Sequence, residues 1–122
     1  MYQNSNQAVS QSIAIAAKTT GTVSGSSVDL ASRYWGAVVF DVGVVTDGTH
    51  TPKVQESDDN SSFTDVAAGD LVGSLAALAS NVQQIVHYKG GKRYIRPVIV
   101  TAGATTGAVA GAKVLRGPSN EG

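Results

Sequence analysis

Apolar and polar residues alternate at period two along most of this chain, in short runs broken by glycine, serine and aspartate. The strongest run is GAVVFDVGVV, residues 36–45. Alternation there puts Val38, Phe40, Val42 and Val44 on one face and Val39, Asp41 and Val45 on the other, the pattern of a β-strand. Upstream, SIAIAAKTTGTV and SGSSVDL predict two further strands, punctuated by Gly21 and Gly25. Asp47-Gly48 in TDGTHT is a hairpin signal, because both positions tolerate positive φ. Pro52 places an edge or a strand beginning just after it. VQESDDNSSFTDV, residues 54–66, reads as two short strands around an acidic turn. AAGDLVGSLAALASN has loose helical spacing interrupted by Gly69 and Gly73, which predicts one short helical turn. VQQIVHY, KGGK and RYIRPVIV predict a strand, a Gly-Gly hairpin turn and a returning strand. TAGATTG is a turn, and AVAGAKVLR makes the last strand.

About eight short strands at regular spacing predict an all-β fold, a single antiparallel β-sandwich of jelly-roll or immunoglobulin-like type. Its expected core is Val38, Phe40, Val42, Val54, Phe63, Val98 and Val100. Polar, uncharged residues 1–12 read as an extended arm, residues 13–117 as the sandwich, and residues 118–122 as a polar tail. An arm of this composition has too little apolar surface to order alone, but could add backbone hydrogen bonds along a neighbour's sheet edge.

Composition narrows the function. With 122 residues, the chain suits one domain with a real core. Charged residues make up 15% of it, against about 25% in a usual soluble domain. The formal net charge is zero, which gives no electrostatic case for nucleic acid or an anionic membrane. A neutral, weakly charged surface has little self-repulsion and leans toward assembly. No cysteine is present, which removes disulfides, thiol nucleophiles and cysteine-bound zinc. The start, MYQNSNQAVSQ, lacks the basic and apolar regions of a signal peptide, and no apolar run approaches the ~20 residues of a membrane helix. Synthesis in the cytoplasm is the expectation.

The candidate chemistry is thin. His50 and His87 have no partner at metal-ligand spacing, and no G-x-S-x-G elbow or phosphate-binding glycine loop occurs. The expectation is therefore no enzyme, no cofactor and no metal. The acidic turn fails as an EF-hand loop: counting from Asp58, Phe63 stands where glycine is needed and Gly69 where the last glutamate is needed. A structural hairpin turn explains it better, since Asp and Asn cap their own backbone; a weak Ca²⁺ site at Asp58 and Asp59 is the alternative. Tyr34 and Trp35 are interaction candidates, as core or subunit anchors with sugar stacking as the alternative. Strand parity also suggests a structural ion pair between Glu56 and Arg96, because half-buried charges persist when paired.

Two resemblances follow. VQESDDNSSFTDV with KGGKRYIRPVIV resembles the hairpin-plus-strand pattern of discoidin-type, galactose-binding-like jelly rolls, with Asn60 in place of the usual Gly and Phe63 in place of the usual Trp. More broadly, residues 26–112 are similar to small structural proteins encoded in tailed-phage and gene-transfer-agent head operons. That resemblance implies a virion component on the capsid surface, a decoration (cement) or head-spike-base protein, assembled in host cytoplasm. Its implied partners are the major capsid protein and copies of itself, a trimer among the options. A carbohydrate-binding module, with a glycan as ligand, is the alternative.

Overall fold

The computed structural model describes residues 8–31 and 35–117. Ten strands follow one another there: β1 Ala8–Lys18, β2 Gly21–Ser24, β3 Val28–Asp29, β4 Gly36–Val45, β5 Thr49–Ser57, β6 Thr64–Asp65, β7 Leu71–Val72, β8 Gln84–Tyr88, β9 Tyr94–Ala102 and β10 Ala108–Arg116. The expected helical turn is a single 3-10 turn at Ala68–Asp70. One sheet runs β1-β10-β4-β8-β7; the other runs β2-β9-β5-β6, with β3 also paired to β9. All the pairings are antiparallel. Most connections leave one sheet and enter the other, which is the jelly-roll arrangement of a β-sandwich.

Two of the expected hairpins are therefore crossovers. Asp47-Gly48 leads from β4 in the first sheet to β5 in the second, and Gly90-Gly91 leads from β8 in the first to β9 in the second. Gly48 does take the left-handed conformation, with φ +84°, so the turn residue is used but the strands it joins do not pair. The VQESDDNSSFTDV hairpin is real: Gln55 pairs with Asp65 and Glu56 with Thr64. The arm also needs correction. β1 takes in Ala8 to Ser12 and pairs along β10, because an extended backbone needs only ladder partners and Ser and Gln can sit on an exposed sheet; residues 1–7 lie outside the described residues, as does the tail.

Between the sheets, Phe40 is fully buried opposite Ala112 of β10 and Gln84 of β8, with Val38, Val86, Val114, Val54, Ile95 and Ile99 around it. Small residues on β10, Ala110 and Ala112, leave room for the ring, so the layer interdigitates. The parity expected for β4 holds through Val42. A register shift against β10, Ala110 to Val42 and then Ala108 to Val45, inserts an extra residue and reverses the end of the strand. Val45 then packs on the core and Val44 is 58% exposed. On β9 the expected parity is off by one: Ile95 and Ile99 face the core, while Val98 is buried outside the core cluster and Val100 is half-buried. Phe63 is half-buried as well.

Truncation separates the two β9 registers. Phe40→Ala should lower the unfolding free energy by about 3–5 kcal/mol and Ile99→Ala by about 2–5 kcal/mol, through the cavities they leave. Val100→Ala should cost less than Ile99→Ala in urea unfolding, and the reverse order would show that the outward face of β9 is the core face.

Candidate functional site

The outer face of the β1-β10-β4-β8-β7 sheet is built from the residues that the core does not use. Register places Val9, Leu115, Ala37, His87 and Val72 in one row across all its strands, with Ala37 buried and Leu115 half-buried within it. Gln11, Lys113, Val39 and Ile85 form the next row. Gly111 and Asp41 follow, and Ala17 beside Val109 closes the face. Several of these side chains are large, apolar and open to water: Val9 is 64% exposed, Val72 54%, Ile15 and Ile85 50% and Val109 41%. Among the described residues, every large apolar side chain exposed to this degree lies on a strand of this sheet, apart from Val82, which lies two residues before β8. The charges on the face are few. Lys113 makes no ion pair among the described residues, and Asp41 accepts a hydrogen bond from Gln83 Nε2 at 3.0 Å.

Trp35 sits at one end of this face. Its ring meets the His87 ring at 5.8 Å between centroids, tilted by 54°, and its carbonyl accepts from the Gly117 N–H at 2.8 Å. Beside it opens a cleft of about 470 Å³ lined by Trp35, His87, Tyr88, Leu30 and the 89–92 crossover. The crossover is pinned from the other sheet. Tyr88 Oη donates to Glu56 Oε1 at 2.7 Å and accepts from the Lys92 N–H at 3.0 Å, and Lys92 Nζ meets Asp58 at 2.8 Å. Burial, with the Glu56 hydrogen bond, pushes the Tyr88 hydroxyl well above its usual range, so it stays protonated as a donor. Tyr34 lies outside the described residues.

The other candidates resolve differently. Glu56 and Arg96 do not pair, because they stand on neighbouring strands with opposite parity: Arg96 is opposite Gln55, and Glu56 opposite Ile95. Arg96 instead donates through Nε and a terminal nitrogen to Gln55 Oε1, at 3.0 and 2.7 Å, and lies 4.0 Å above the Phe63 ring. Glu56 turns inward to Tyr88. In the acidic turn, Asp59 Oδ1 accepts from the Ser61 and Ser62 N–H groups, each at 2.9 Å, and Asn60 adopts φ 61°. Those backbone bonds hold the Asp59 carboxyl below its ordinary range. Its Oδ1 thus serves its own loop, which is the structural hairpin turn. Among the described residues, no three His, Asp or Glu side chains gather as a metal group would require. His50 is buried, with Nδ1 2.8 Å from Thr101 Oγ1 and Nε2 2.9 Å from the Asp47 carbonyl; this is a packed histidine.

What the period-two reading did not bring out was the outer face as a whole. Its signal was present, since β4 carries apolar residues at both parities, but only the pairing of β1, β10, β4 and β8 joins those residues into one surface.

No family model matches the chain, and no curated protein matches it in sequence. Solved structures do. The PBSX exported protein XepA matches at 21% identity and a TM-score of 0.65 over 98% of this chain, which spans 40% of that protein. The SPBc2 prophage-derived protein YomS matches at 13% identity and a TM-score of 0.55, over 90% of this chain and 92% of that one. At these identities the likeness shows a shared fold.

One acid-sensitive contact borders the cleft. Arg93 grips the Asp29 carboxylate through two hydrogen bonds, at 2.9 and 2.8 Å, and lowers its pKa from 3.8 to about 2. A carboxyl depressed in the folded state stabilises the fold above its unfolded pKa and loses that contribution as pH falls through its folded value. Tm should therefore fall between about pH 4 and pH 2, and Asp29→Asn should flatten that limb. An unchanged acid limb in the variant would remove this pair from the acid response.

Proposed function

We propose that this chain is a structural protein of a phage particle, a decoration or cement protein that binds the outside of the head. The observation that carries the reading is the outer face of the β1-β10-β4-β8-β7 sheet. Soluble domains rarely leave a contiguous apolar surface open, and larger patches mark contacts with other protein. A neutral surface with 15% charged residues favours the same use. One structure with this fold, YomS, is named as a prophage-derived protein, which supports a phage setting. Attachment needs only modest contacts per copy, because regularly repeated neighbours raise the effective concentration of each one.

The cleft beside Trp35 favours a second reading, a carbohydrate-binding module. Trp35 and His87 present ring surface beside the hydrogen-bonding groups of the 89–92 crossover, the combination small-ligand sites use.

Purified full-length protein mixed with undecorated phage heads should bind in a fixed number of copies per head and raise the temperature at which the heads rupture. No binding to heads, together with retention on a glycan matrix that Trp35→Ala abolishes, would overturn the decoration reading in favour of the second.

A further inference from the structure

The geometry points to a second copy of this chain as the occupant of the apolar sheet face, the two copies packing this face against itself. The inference rests on the reading that this surface is a protein contact, and it names the partner. Two observations support it: charge selects a copy over an unrelated protein, and area shows that two such faces suffice.

The first is charge. Lys113 on β10 and Asp41 on β4 lie on the two adjacent central strands, two residues apart in register, since Lys113 pairs with Val39 and Gly111 with Asp41. Such diagonal neighbours sit roughly 7–8 Å apart on a sheet. One cation and one anion at the middle of an apolar face make it self-complementary. A two-fold axis in the interface plane, bisecting the line between them, sets each Lys113 over the other copy's Asp41 in two symmetric pairs. A closed two-fold contact uses the same patch on both copies, which is what this arrangement provides.

The second is area. Strands of 11, 9 and 10 residues (β1, β10 and β4) with the five of β8 give a face of roughly 550 Å² at ~4.8 Å between strands and ~3.3 Å per residue. Two such faces bury roughly 1,100 Å², above the ~1,000 Å² that a specific interface needs.

The test measures mass by light scattering and sedimentation on the full chain, with circular dichroism to verify folding. Wild type should run at twice the chain mass at micromolar concentration. Ile85→Glu, on the exposed face, should give a folded monomer. Lys113→Glu and Asp41→Lys should each be monomeric alone, because each sets like charges together, and an equimolar mixture of the two should recover the dimer. A dimer that forms equally well in all variants, or a larger ring indifferent to Lys113 and Asp41, overturns the inference. A wild-type monomer also overturns it, and head binding then separates the two levels. If Ile85→Glu abolishes binding to undecorated heads, the face is still a protein contact with another occupant. If it leaves that binding intact, the contact reading of the face fails too.

Discussion

The carboxylate of Asp47 ties two crossovers together, and the jelly roll depends on such ties. When a connection leaves one sheet for the other, no ladder flanks it, so its backbone donors need other acceptors. Asp47 supplies them for the β9–β10 crossover, accepting from Gly107 at 2.6 Å and from the Thr105 and Thr106 N–H groups. The Gly107 hydrogen bond leads the causes that hold the Asp47 carboxyl below its ordinary range. The Gly107 carbonyl in turn accepts from the Thr46 N–H at 2.9 Å, and His50 holds the Asp47 carbonyl from below. Glycine is required at 107: φ is +82°, and an added Cβ would fall 1.8 Å from the Lys18 carbonyl oxygen at the end of β1. At this end of the sandwich, the ends of β1, β4, β9 and β10 are thus fixed by one side chain and one missing side chain. At the opposite end, Tyr88–Glu56 and Lys92–Asp58 give the β8–β9 crossover the same service.

This explains which parts of the fold could be read from the sequence. Strands were legible because period-two alternation is a local property, and GAVVFDVGVV gave Val38, Phe40 and Val42 correctly. Asp47-Gly48 and Gly90-Gly91 misled because a turn signal reports what the backbone can do there. It does not report which sheet receives the next strand. RYIRPVIV was ambiguous for another reason. It is apolar at both parities, so Ile95 with Ile99 and Val98 with Val100 compete, and only pairing with β5 and β2 decides between them. The same one-residue error separated Glu56 from Arg96, since a shift of one position moves a side chain to the other face.

The two outer faces of the sandwich are unlike each other. On the β2-β9-β5-β6 sheet, Arg96 covers Phe63 and binds Gln55, while Lys53 and Gln55 both reach Asp65, so polar groups there satisfy one another. A surface already paired within the molecule offers little to a partner. The β1-β10-β4-β8-β7 face holds Val9, Ile15, Ile85 and Val109 in water, and Lys113 there makes no ion pair among the described residues. The difference arises from β4 and β10, whose inward residues fill the core and whose outward ones, apart from Asp41 and Lys113, are also uncharged and mostly apolar.

A face of this size sets the strength of what it can join. Bringing two proteins together costs an estimated ~4–15 kcal/mol of lost translation and rotation, so an interface near the lower size limit leaves only a small surplus. Under the proposed function, that suits copies that meet on a repeating surface. Each contact stays reversible during assembly, which lets misplaced copies leave. If a pair also sits on a repeating shell, as proposed, its self-contact and its shell contacts act together at high effective concentration, and release requires them to break together. A low charge content serves the same end, because few exposed charges need be desolvated when the faces close. The apolar sheet, the self-paired sheet opposite it and the clamped crossovers thus belong to one arrangement: a sandwich that satisfies the polar groups of one outer face within itself and leaves apolar side chains of the other in water.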